Sequence, residues 1–142
     1  MNDKWSAGAR VLLAEDDAEF RELLAGVLRE DGLQVVEVED GRALLNELTR
    51  SLSPQGELTS FELVVTDVRM PGYSALDVLT GARKALRRTP VIVMTAFGGG
   101  LTREKVCQLG ATAFFEKPFS IDHFRTEVKR SIRDGLLHKR PD

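Results

Sequence analysis

Short apolar runs alternate five times with amphipathic stretches, the pattern of a parallel sheet wrapped by helices. Residues 11–14 predict a first strand. Residues 18–30 predict a helix, because Phe20, Leu23, Leu24, Val27 and Leu28 fall on one stripe at helical spacing and Gly32 can supply a left-handed stop. Residues 34–38 predict a second strand, and Ala43, Leu44, Leu45 and Leu48 mark a second helix that breaks before the loop 51–60, punctuated by Pro54 and Gly56. A third strand, 63–66, ends abruptly at Asp67, and its lack of alternation predicts cover on both faces. Leu76, Val78, Leu79 and Ala82 predict a third helix, 91–94 a fourth strand, and 102–109 a short fourth helix closed by Gly110. Phe114 and Phe115 belong to a fifth strand. Ser120 is placed to cap a last helix whose inward stripe is Ile121, Phe124, Val128 and Ile132, with Asp122 complementing the helix dipole.

With 142 residues there is room for one domain. The expected division is an N-terminal extension over 1–9, a domain over 10–134 and a C-terminal tail over 135–142. A net charge of -2 gives no general attraction to polyanions. The basic run 129–139 is interrupted by Ser131, Asp134, Leu136 and Leu137, so it is taken as a solvated, fraying helix end, and no direct nucleic-acid contact is expected. The first ten residues form no secretory leader and no apolar run approaches the roughly 20 residues that cross a bilayer, so the expected location is the cytoplasm, away from membranes. Cys107 is the only cysteine, which rules out an intrachain disulfide and predicts a small residue packed on its helix. His123 and His138 are expected in solvent. The glycines at 98, 99 and 100 are not followed by Gly-Lys-Ser/Thr, so they predict a loop rather than a P-loop phosphate cradle.

Ligands of doubly wound sheets sit beyond the carboxyl ends of the strands, near the point where strand order reverses. There the chain places Glu15, Asp16 and Asp17 after strand one, Asp67 after strand three, Thr95 after strand four, and Lys117 with Pro118 after strand five. Carboxylates gathered at one rim repel one another unless a cation or proton intervenes. Magnesium suits the donors Glu15, Asp16 and Asp67, since it takes hard oxygen ligands and often one or two carboxylates beside a phosphate. No nearby His or Cys favours zinc. Asp17 is better explained as a helix cap.

The acidic pair Glu15-Asp16, the segment Asp67-Val-Arg-Met-Pro, Thr95-Ala96 and Lys117-Pro118-Phe119 occur in this order on predicted strand ends, over about residues 11–132. Together they resemble the response-regulator receiver domains of two-component signalling. The resemblance implies a flavodoxin-like (βα)5 three-layer α/β sandwich with a parallel sheet in the order 2-1-3-4-5. It implies Asp67 as phosphoacceptor, served by a histidine kinase or phosphotransfer protein. It implies magnesium held by Asp16, Asp67 and the backbone carbonyl of Arg69, with Glu15 acting through water. Thr95 would bind the phosphoryl oxygens, Lys117 would offset their charge, and Thr95 with Phe114 would switch the surface of helix four, strand five and helix five. A cis Lys117–Pro118 bond is also implied.

With no effector domain after the fifth helix, the expected output is binding of a downstream protein target, unless the chain is a piece cut from a longer regulator; a homodimer formed on phosphorylation is one form such output could take. Ser74 and Ala75 stand where the family commonly has Asp-Gly, so the start of helix three is expected to differ. Arg69 and Phe97 occupy positions that govern access of hydrolytic water, and bulky Phe97 predicts a long-lived phosphorylated state. Two other functions stay open: a phosphohydrolase of the haloacid-dehalogenase type, and a receiver-like interaction module that is never phosphorylated. The hydrolase would need a carboxylate two residues after Asp67 for acid-base work, where this chain has Arg69.

Overall fold

A computed structural model of the chain describes residues 8–56, 60–71, 74–96 and 103–138. Five strands and five helices alternate along it: β1 (Arg10–Ala14), α1 (Ala18–Glu30), β2 (Gln34–Val38), α2 (Gly41–Arg50), β3 (Leu63–Asp67), α3 (Ala75–Gly81), β4 (Val91–Ala96), α4 (Arg103–Gln108), β5 (Ala113–Lys117) and α5 (Ile121–His138). All strand pairs are parallel, in the order β2-β1-β3-β4-β5. Strand order reverses between β1 and β3, so a crevice opens beyond their carboxyl ends.

The side-chain period of two along a strand divides the core into two layers. Leu12, Val64 and Val93 face Leu44 and Leu48 of α2, Val78 and Leu79 of α3 and Val106 of α4. Val11, Leu13, Val65, Ile92 and Met94 face Leu24 and Leu28 of α1 and Phe124, Val128 and Ile132 of α5. All five residues of β3 are buried, as its unbroken apolar pattern predicts, whereas the edge strand β2 is only half-covered.

The caps follow from sequence chemistry. Asp17 accepts from the Phe20 N–H at 3.2 Å, and Ser120 from the His123 N–H at 3.2 Å. Gly32 and Gly110 both have φ near +90°, which lets the chain turn out of α1 and α4. Ser74, at the unusual start of α3, caps that helix by accepting from the Leu76 N–H at 3.2 Å.

Two details depart from expectation. Leu23 is 51% exposed, because the inward sector of α1 is centred on Leu24, Ala25 and Leu28 and leaves Leu23 on its shoulder. Cys107 is exposed rather than packed, since six-residue α4 turns only Val106 inward. The helix α5 runs on past Asp134 to His138.

Candidate functional site

The crevice at the ends of β1 and β3 gathers the acidic residues. Asp67 is the last residue of β3, Glu15 follows the last residue of β1, and both are buried, while Asp16 beside them is exposed. One carboxylate oxygen from each of Glu15, Asp16 and Asp67 lies within 4.8 Å of the others. Asp17 faces away from this role as the cap of α1.

Lys117, the last residue of β5, reaches across the top of the sheet. Its Nζ donates to Glu15 Oε1 at 2.6 Å and to Asp67 Oδ2 at 2.5 Å. The remaining oxygens are also engaged: Glu15 Oε2 accepts from the Asp17 N–H and Asp67 Oδ1 from the Arg69 N–H, each at 3.0 Å. Such bonds compensate the desolvation of two buried acids.

Burial nevertheless pushes the Glu15 carboxyl up to about 7, with neighbouring Asp67 acting in the same direction and Lys117 and the Asp17 amide pulling it back. Lys117 is shifted upward as well, for a different reason. Burial alone would lower its affinity for the proton, but the hydrogen bonds and charges of Asp67 and Glu15 together hold it above the usual lysine range.

Other predicted residues surround this group. Thr95 is buried in β4, where it lies opposite Glu116, and its neighbour Ala96 lies opposite Lys117. Phe114 is half-buried in β5 opposite Val93, with the Arg103 guanidinium 5.7 Å from its ring centre. Arg69 is exposed just beyond Asp67. The Lys117–Pro118 bond is cis. Phe97 and the glycines at 98, 99 and 100 lie outside the described residues.

Sequence reasoning missed two neighbours. Phe20, assigned only to the core stripe, lies under Lys117, whose Nζ is 4.8 Å from the ring centre. Arg21 donates to the Glu15 carbonyl at 2.8 Å. A cation in the first turns of a helix opposes the dipole, and that anomaly was the available signal for Arg21.

The donor set suits a hard divalent cation: three close carboxylates, no nitrogen or sulfur ligand among them, and a lysine that tempers their mutual repulsion. A parallel doubly wound sheet with such a crevice at its switch point defines the class: an α/β domain with an acidic strand-end site whose donors suit a dication.

Comparison with known proteins narrows the class. Residues 11–129 match the family described as "Response regulator receiver domain", and the chain belongs to that family of phosphoacceptor signalling domains. It is 39% identical over 124 residues to the transcriptional regulatory protein PdtaR of Mycobacterium tuberculosis, covering 87% of this chain and 56% of that protein. It is 32% identical over 124 residues to the transcriptional regulatory protein CpxR of Escherichia coli K12, covering 87% of this chain and 49% of the relative. The chain thus spans about half the length of these curated relatives. A crystal structure of a response regulator receiver domain protein from Clostridium thermocellum has the same fold, with a TM-score of 0.80, 22% identity, and coverage of 91% of this chain and 98% of that one. Among the described residues, no helix is long and apolar enough to cross a membrane.

Proposed function

We propose that this domain is a phosphorylation-dependent switch in which Asp67 accepts a phosphoryl group from a histidine kinase or phosphotransfer protein. The observation that carries the reading is the convergence of Asp67, Glu15, Asp16 and Lys117 at one strand-end crevice. Phosphoryl transfer relies on positioning and electrostatic stabilisation more than on covalent chemistry from the protein. Magnesium, when bound, would neutralise phosphate charge and link its oxygens to the protein.

Asp16, Asp67 and the Arg69 carbonyl are the proposed direct ligands, with Glu15 acting through water. Asp67 Oδ2 and the Lys117 ammonium are already in contact, so Lys117 can follow the negative charge from carboxylate to acyl phosphate. Thr95 has the hydroxyl needed to donate to a phosphoryl oxygen. Its movement toward that oxygen would draw the end of β4 inward, and half-buried Phe114 would follow by packing, because it has no hydroxyl to anchor. The α4-β5-α5 surface then changes shape, which is the signal a downstream protein reads or through which a second copy pairs.

The test is exposure of the full chain to acetyl phosphate and magnesium, followed by intact-mass measurement. Wild type should gain one phosphoryl group and Asp67→Asn none. Equal labelling of the variant, or many turnovers of the phosphodonor without a stable adduct, would reject the assignment.

A further inference from the structure

Arg21 lies near the positive end of α1, where its charge is disfavoured, yet its side chain is only 15% exposed. Fixed acceptors account for this. Nη1 donates to the Glu15 carbonyl at 2.8 Å and Nε to Glu37 Oε1 at 3.2 Å. Glu37, in β2, is held on its other oxygen by Arg29 Nη1 at 3.0 Å. The planar guanidinium therefore bridges the turn between β1 and α1 to the neighbouring strand with a geometry that one ammonium cannot reproduce.

The carbonyl it binds belongs to the peptide joining Glu15 to Asp16. The N–H of Glu15 is itself fixed to the Val38 carbonyl of β2 at 3.1 Å. Both backbone polar groups of Glu15 are thus tied down immediately before the exposed carboxylate of the acidic cluster.

We propose that Arg21, oriented by Glu37, is a positioning residue for divalent-cation binding: it holds the Glu15–Asp16 peptide so that the two side chains meet Asp67 around one ion. The inference rests on the magnesium reading of this site. Arg21 contributes through the backbone. Its own positive charge repels a dication, so electrostatics and positioning predict opposite consequences of removing it.

Magnesium titrations of the full chain, followed by amide chemical shifts and by calorimetry, separate the two. Arg21→Met keeps most of the aliphatic stem and removes the donors. It should weaken magnesium binding about tenfold, the low end of the range for groups that orient metal ligands. Arg21→Lys should lose less, and Glu37→Gln, which retains an acceptor for Nε, should remain near wild type. At saturating magnesium, the rate of acetyl-phosphate labelling in Arg21→Met should recover, and its metal-free Asp16 amide signal should be displaced from the wild-type position.

Unchanged or tighter magnesium binding by Arg21→Met would overturn the proposal and leave charge repulsion as the residue's effect. Should that variant not fold, wild-type affinity together with an undisplaced Asp16 signal in Arg21→Lys would overturn it equally. A wild-type chain that binds no magnesium would instead refute the underlying cation reading.

Discussion

Lys117 places one ammonium against two buried carboxylates, so it both stabilises the acidic cluster and competes with any cation drawn there. Opposite unit charges about 4 Å apart attract by about 1 kcal/mol even in bulk water. Lys117→Met should therefore raise magnesium affinity by about tenfold, measured by calorimetry, even as acetyl-phosphate labelling of Asp67 slows. Ser131 is a contrasting residue. Its buried hydroxyl oxygen has no hydrogen-bond partner, and it sits within α5, where alanine is the better helix former. Ser131→Ala should stabilise the domain by about 1 kcal/mol, seen as a higher urea midpoint with an unchanged slope. At this scale the chemical types at the site were legible in sequence, but their partners were not: Phe20 fitted a core stripe equally well before the fold put it under Lys117.

At the scale of elements, one contact couples the end of α1 to the start of α5. Arg125 donates from Nε to Asp31 Oδ2 at 2.9 Å and from Nη2 to Asp31 Oδ1 at 2.5 Å. The arginine hydrogen bond outweighs burial and holds the Asp31 carboxyl below its ordinary value of 3.8, with the charges of Lys129 and Arg125 adding to the effect. Since the folded value is the lower one, the pair's contribution is complete above pH 3.8 and fades as pH falls through the folded value. Wild type should accordingly be more stable than Asp31→Asn at neutral pH, and urea unfolding should show the gap closing in acid below that range. Helical periodicity identified the apolar stripes of α1 and α5, yet it misplaced Leu23. Periodicity locates a stripe to within a residue or so. Which shoulder is covered depends on the partner surface.

For the molecule as a whole, two apolar layers clamp one sheet, and the site rests on strands whose positions those layers fix. Phe124 is fully buried, with ring centres 5.7 Å from Phe115 and 5.6 Å from Phe119, immediately behind the segment that carries Lys117. Phe124→Ala should reduce stability by about 3–5 kcal/mol through lost contacts and a cavity. Thermal or urea denaturation would measure this, and a loss under 1 kcal/mol would contradict the packing described. Interdigitated side chains resist small displacements, so the same substitution should loosen the Lys117 ammonium as well.

The succession of strands and helices along the chain, the cover on both faces of β3, the caps at Asp17 and Ser120 and the candidate residues of the acidic rim were all legible in the sequence. These features depend on burial period and local backbone chemistry, which neighbouring residues encode. Tertiary structure alone decided that Lys117 meets Glu15, 102 positions earlier, and Asp67, 50 positions earlier, and that Arg21 grips the backbone of the acidic turn. Those contacts depend on strand order and register, which bring distant segments together and leave no periodic trace in the chain.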